Sequence, residues 1–265
     1  MQGIQPNFWR ATTDNDFGFN MPKHFGDWKE ATKKQKLISL ELNDGKNKLD
    51  ISTLGAEKKL NKNSVYLKTR YQLPNKLAKI QIDYKIDASG QITVTNSLIE
   101  VKKNASVLPR FGSNFIVNRK YNQVNWYGRG PQENYQDRNS AAFVRNYSSS
   151  VEDLYFPYIR PQENGYKTDV RWVTFTDASG RGIKILGSKN LSFSAHHQYN
   201  SDFDAGTKKE QRHTVDIVKR DFVNINIDHK QMGVGGDTSW WAKPLDKYQI
   251  KAKKMSYSYS IIPLK

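Results

Sequence analysis

Three stretches of the sequence combine residue types that can do chemistry. In Asn7-Phe8-Trp9-Arg10-Ala11-Thr12-Thr13-Asp14-Asn15-Asp16-Phe17-Gly18, an aromatic pair leads into two carboxylates that bracket an amide. Asp14 and Asp16 could ligate a hard cation or bind sugar hydroxyls, because a carboxylate offers oxygen ligands and bidentate acceptance. An Asx-rich turn, in which the same carboxylates cap backbone N–H groups, accounts for the spacing as well. The second stretch, Trp126-Tyr127-Gly128-Arg129-Gly130-Pro131-Gln132-Glu133-Asn134-Tyr135, is echoed by Tyr158 to Gly165 and offers Glu133 and Glu163. Glycosidases pair two carboxyl groups as acid and as nucleophile or base. Buried Glu and Arg in a loop-rich β-protein also satisfy each other and the loop backbone. In the third stretch, Gln231 to Trp241, three glycines let the chain turn sharply beside Asp237 and Trp240. An indole face near polar groups suits the apolar face and the hydroxyls of a pyranose, and a hydrophobic core equally well.

Other candidates carry less. His196 and His197 are adjacent, so on a strand they point to opposite faces and cannot share one metal or one proton relay without a bulge. The glycines at 233, 235 and 236 are followed by neither a Lys-Ser/Thr pair nor a helix, which excludes a phosphate-binding or dinucleotide loop. No Gly-x-Ser-x-Gly elbow supports a serine triad.

The elements that must position these loops are strands. β-branched and aromatic residues alternate at Val65, Leu67, Tyr71 and Leu73, at Ile80, Ile82, Tyr84 and Ile86, and at Ile92 and Val94. Asp87-Ala88-Ser89-Gly90 and the identical Asp177-Ala178-Ser179-Gly180 place Gly where a hairpin turn needs positive φ. Further strands are expected over 111–117, 123–127, 168–176, 191–195, 222–228 and 254–262, a dozen or so in all. Helix signals are confined to 25–34 and, more weakly, 208–212. The fold class is therefore all-β, with sheet-on-sheet packing as the economical way to bury one face of each strand. No Pro-, Gly- or Ser-rich linker divides the chain, so residues 1–265 are read as one domain.

The net charge of +16 raises the question of a polyanionic partner. The basic residues are scattered in short groups such as Lys33-Lys34, Lys102-Lys103 and Lys253-Lys254, with no stripe able to track a phosphate backbone, which argues against nucleic acid. The absence of cysteine removes disulfide and thiol chemistry and leaves cytoplasm and periplasm equally open. No apolar run is long enough to span a membrane, and the first residues lack an export signal.

Taken together and in order, Phe8-Trp9-Arg10-Ala11 with Thr13 to Asp16, Gly130 to Tyr135, and Met232-Gly233 with Gly235-Gly236-Asp237 and Ser239-Trp240 resemble the C-terminal, small-chain region (domain 5) of lacZ-type glycoside hydrolase family 2 β-galactosidases. Pro161 to Gly165 and Arg212-His213 also match, so the resemblance covers nearly the whole chain. It implies a large antiparallel β-sandwich of the supersandwich, galactose mutarotase-like kind, and a parent enzyme that hydrolyses terminal β-D-galactose with retention. In that family the catalytic glutamates lie on a separate (β/α)8 barrel, so no catalytic residue is assigned here and this chain alone is expected to be inactive. Trp240 matches the tryptophan that completes the substrate pocket. Asp16, Gly18 and Asn20 mark a loop that opens and closes at the active site. The family holds Mg2+ and Na+ through other domains, and no metal ligand is transferred. The implied partners are a β-galactoside, the barrel and other domains of the parent, and further copies in a homo-oligomer.

Relatives in this family carry several strands before the Phe-Trp-Arg motif, so the chain is expected to be a piece of a longer protein, with an open sheet edge. The rival readings are a free-standing aldose-1-epimerase-like enzyme, with a His and a Glu exchanging protons at the anomeric carbon, and a binding module for acidic glycans.

Overall fold

The computed structural model describes residues 2–50, 63–209, 212–237 and 241–265. Its thirteen strands among these residues form one continuous antiparallel sheet. They are β1 (Gln2–Asn7), β2 (Lys36–Asn43), β3 (Lys48–Leu49), β4 (Ser64–Gln72), β5 (Ala78–Asp87), β6 (Ile92–Val101), β7 (Arg110–Asn118), β8 (Gln123–Gly130), β9 (Phe143–Ser150), β10 (Lys167–Thr176), β11 (Gly182–His196), β12 (Phe222–Gln231) and β13 (Met255–Leu264). Four short helices punctuate them: α1 (Asp14–Gly18), α2 (Met21–His24), α3 (Gly26–Lys33) and α4 (Val151–Leu154). The alternation expected for β5 and β6 is present, whereas within β4 only Thr69 is buried, and both Asp-Ala-Ser-Gly segments close hairpins with Gly90 and Gly180 at φ +85° and +80°. The helix expected near 25–34 is α3. The weaker helix signal at 208–212 falls partly on residues outside those described.

The sheet becomes a sandwich at β11. Its first half, Gly182 to Gly187, pairs with β13, and its second half, Ser192 to His196, pairs with β12. One strand thus belongs to two layers. The order β1-β7-β12-β11 continues through β13-β6-β5-β4-β2-β3, while β10, β8 and β9 extend the other side of β11. The layers meet at Tyr257 of β13, whose ring packs edge-on against Phe111 of β7 at 5.2 Å. The Tyr257 hydroxyl donates to the Ile227 carbonyl at 3.0 Å and lies 2.8 Å from Ser113 Oγ. Tyrosine therefore serves here both as core ring and as polar tie between sheets.

β12 explains why the site loops are held so firmly. Val223, Ile225 and Ile227 face the apolar core, and Asn224, Asn226 and Asp228 face the other way, yet all six are buried. Period-two alternation ordinarily separates core from solvent. On this strand it separates an apolar interior from a polar one.

Phe111 is fully buried between Phe8 and Tyr257. Its replacement by alanine is expected to cost about 3–5 kcal/mol in urea unfolding. Leu37→Ala, on the exposed face of β2, is expected to stay within about 0.5 kcal/mol.

Candidate functional site

The three motif-bearing stretches converge on one end of the sandwich. Thr13 is the N-cap of α1 and forms a reciprocal capping box with Asp16. The Asp16 carboxylate accepts from the Thr13 backbone N–H at 2.7 Å and takes a bidentate pair from Arg10, with Arg10 Nη2 to Oδ1 at 2.9 Å. Both side chains are fully buried. Of the two readings open for this carboxylate, the geometry selects the cap. Asp14 faces outward and pairs with Arg160 at 2.8 Å and Lys209 at 3.2 Å. Partial burial would raise the Asp14 carboxyl, and the hydrogen bond and charge of Arg160, with Lys209 and Gln162, outweigh it and hold the group below the usual range.

The two glutamates are both engaged. Glu163 accepts from Arg110 Nη2 at 3.0 Å, Gln231 Nε2 at 2.8 Å and the Ala11 backbone N–H at 3.3 Å. Glu133 accepts from Arg138 at 2.8 Å, from the Gly165 N–H at 2.8 Å and from the Tyr158 hydroxyl. Each binds an arginine and the backbone of a loop, which is the structural alternative to acid–base work.

Arg110 is a residue that motif reading did not single out. Besides Glu163, it lies 3.0 Å from Asp228 through Nε, at ion-pair distance but off the hydrogen-bonding direction. Burial pushes the Asp228 carboxyl up to about 7, with Arg110 pulling the other way. The residues of this cluster are 53 and more positions apart in the chain, so local spacing carries no trace of it. Asp137 was also missed. It accepts from the Gly235 N–H at 2.7 Å, and a Cβ on Gly233 would fall 2.4 Å from its Oδ2.

The third stretch is anchored to the first. Arg10 Nη2 donates to the Gly233 carbonyl at 3.2 Å, and Asn15 Nδ2 to the Val234 carbonyl at 3.2 Å. Gly235 and Gly236 adopt φ of +66° and +89°, and a Cβ on Gly236 would sit 2.5 Å from the Asn15 amide. Trp240, the residue matched to the substrate-pocket tryptophan, lies outside the described residues, three positions beyond Asp237. Of the expected active-site loop, Asp16 is locked to Arg10, Gly18 ends α1, and Asn20 is exposed at φ +57°.

Between the stretches lies a cleft of about 90 Å³, lined by Thr13, Asn15, Tyr135, Tyr158, Glu163 and Val234 among others. It draws residues from all three. That volume is far below the roughly 300 Å³ at which small-molecule pockets begin.

The loop carrying Glu163 is fixed from behind by His196. Asn164 Oδ1 already accepts from the Phe156 N–H at 3.1 Å, so its 2.9 Å contact with His196 Nε2 makes that nitrogen the protonated one. Burial, with the charges of Lys167 and Arg110, pushes the imidazole down to about 3. The buried Lys167 ammonium, which donates to the Gly165 carbonyl at 3.1 Å, is pushed down by burial to about 8.

Comparison with known proteins follows the same boundaries. The family model described as β-galactosidase small chain matches residues 1–261. The chain belongs to the β-galactosidase small-chain family. It is 33% identical over 264 residues to a β-galactosidase of Priestia megaterium and 31% identical over 254 residues to one of Halalkalibacterium halodurans. These alignments cover 99% and 95% of this chain but 23% of each relative, so the chain spans about a quarter of the length of the curated relatives it matches. Among solved structures, similarity extends to the galactosidase domain of an α-galactosidase-sucrose kinase, with 12% identity, 86% of this chain and 27% of that one covered, and a TM-score of 0.43. An Escherichia coli aldose 1-epimerase homologue is similar at 10% identity over 78% of this chain and 67% of its own, with a TM-score of 0.34.

Two consequences can be measured. Asp16→Ala leaves the buried Arg10 charge unpaired and is expected to destabilise the fold by about 3–5 kcal/mol, whereas Asp14→Ala, at a half-exposed pair, should cost under about 1 kcal/mol. His196 binds its proton near 6.5 when unfolded and near 3 when folded, so the unfolded chain holds the extra proton between those values. Its contribution is complete above pH 6.5 and is lost as pH falls, at up to about 1.4 kcal/mol per pH unit. Unfolding of His196→Gln followed from pH 7 to 4 should show a slope shallower by up to one proton.

Proposed function

We propose that this chain is the part of a β-galactosidase that walls one side of the galactoside site and braces the catalytic part of the enzyme, without supplying the acid or the nucleophile. The observation that carries this reading is the convergence of all three family motifs on a cleft too small to enclose a sugar. A surface built with buried ion pairs, sharply turned glycines and fixed carboxylates, but with so little volume of its own, has the character of one wall of a larger site. Glu133 and Glu163 spend their oxygens on arginines and loop N–H groups, which leaves neither available to pass a proton to a glycosidic oxygen.

Trp240 would present the indole face of that wall. The glycine turn that leads to it is tied to Asn15 and Arg10, so movement near α1 would be felt there. Gly18 and Asn20 lie outside the Arg10–Asp16 lock and form the part of the segment free to open and close. Nearby, Ile159 is 84% and Val215 91% exposed, and their neighbours Tyr158 and Thr214 are hydrogen-bonded at 2.8 Å. Two such side chains side by side are what a domain–domain contact would cover.

Titration of galactose and lactose against tryptophan fluorescence, in the 265-residue chain and in Trp240→Ala, tests the wall. The expected result is that the response of the chain alone is the same with and without Trp240. In the assembled parent enzyme, Trp240→Ala should raise the Michaelis constant for a β-galactoside by tenfold or more, a loss of about 1.4 kcal/mol or more. Hydrolysis of lactose by the purified chain alone would overturn the non-catalytic assignment.

A further inference from the structure

On the polar face of β12, away from the three-motif cleft, lies a larger cavity of about 650 Å³. Its floor is an array of carboxamides contributed by successive strands. Asn7 of β1 donates to Asn226 Oδ1 at 3.1 Å, and Asn114 of β7 donates to Asn224 Oδ1 at 2.7 Å and to Asn226 Oδ1 at 3.1 Å. Asn200, from the loop after β11, closes the network by donating to Asn226 Oδ1 at 2.9 Å and accepting from Asn224 and Asn226. These contacts fix the orientation of every amide, and none of them uses the Asn114 side-chain oxygen, although Asn114 lines the cavity. Fixed donors and acceptors at a cavity floor form a preorganised polar surface.

The walls are aromatic. Tyr199 is 40% exposed at the rim, braced by Arg220 4.7 Å from its ring centroid and by Phe222. Opposite the amides, the Trp9 indole N–H donates to Asp204 at 2.8 Å. Asp204 in turn pairs with Lys29 at 2.6 Å, and Lys33 is exposed at the edge of the lining. An amide floor and a presented ring face suit a ligand with hydroxyls on one side and C–H groups on another.

We propose that this amide-floored cavity is a second binding site, independent of the Trp240 wall, for a neutral pyranose. Tyr199 would stack on the C–H face while Asn114 and its neighbours hydrogen-bond the hydroxyls. The volume lies within the roughly 300–1,000 Å³ range of small-molecule sites, enough for one or two sugar rings.

The test uses the 265-residue chain labelled with ¹⁵N and observes side-chain amide resonances during titration with glucose, galactose and maltose. At least one sugar should shift the Asn114, Asn200 and Asn224 amide signals saturably, with a dissociation constant in the millimolar range (about −4 kcal/mol at 1 mM). Tyr199→Ala should weaken that binding at least about tenfold, Tyr199→Phe should retain it, and Trp240→Ala should leave it unchanged. Because Tyr199 sits at the rim, its variants are expected to fold. Asn114→Ala, checked for folding by its backbone spectrum, provides a second route to the same loss. Silence of these amides with all three sugars would overturn the proposal. So would shifts that persist in Tyr199→Ala but vanish in Trp240→Ala, which would assign the binding to the other wall and leave the first proposal standing.

Discussion

A guanidinium shut away from water must find its counter-charges inside the protein, and Arg110 finds them on a strand and a loop. Glu163 approaches from the 158–165 loop and Asp228 from β12, while Arg110 Nη1 also donates to the Trp9 carbonyl at 3.3 Å. Removing three charged groups from water costs several kcal/mol for each ion, and the attraction between them offsets this only when their positions are tightly held. A hydrophobic trio of the same volume would fill the space without that cost. What the ions supply is position: the loop, the Trp9 segment and β12 must all come to the same point or a charge is left alone. Gly112 belongs to this constraint, because a Cβ there would lie 1.7 Å from Asp228 Oδ1.

The same face of β12 accounts for both cavities. Moving along the strand, Asp228 serves the ion cluster beside the three-motif cleft, Asn226 holds the amides of Asn7, Asn114 and Asn200, and Asn224 lines the amide cavity. Their neighbours across the ladder on β11 are Ser192, Ser194 and His196. A buried row of this composition calls for polar partners, and the chain provides hydrogen bonds for Asn224 and Asn226 and an ion pair for Asp228 by folding loops over the row rather than exposing it. The loops that cover the row are therefore ordered by the polar groups beneath them, which is why His196 and Asn164 behind the Glu163 loop matter as much as the residues in the cleft itself.

Strands with clean alternation could be recognised from sequence because one apolar face decides them: β5, β6 and β13 are examples. β1, β2 and β9 were not anticipated. In β9, Phe143 to Ser150, no side chain is buried, and its pairing with β8 alone holds it in place. The capping role of Asp16 could be read from the Thr13-x-x-Asp16 spacing, and the engagement of Glu133 and Glu163 from the general tendency of buried carboxylates. Arg110, Asp137 and Asn15 could not be read, since their partners are brought near only by the fold. The order of the three motifs carried more functional information than any one of them, because each alone is equally well explained by local structure.

The division between what this chain fixes and what it leaves open also follows from the charges. Glu163, the carboxylate that lines the small cleft among the described residues, is already paired with Arg110, and a carboxylate so paired is a poor acid or base. In the role proposed above, the reactive groups come from elsewhere, and the surface that meets them is held by ion pairs that tolerate little displacement. The segment beyond Asn15 is the exception. Past the Asp16 cap it has the exposed, left-handed Asn20 between the buried Phe19 and Met21, and no buried counter-ion. The buried charges thus stop at Asp16, and beyond it the segment is held by apolar packing of Phe19 and Met21 instead.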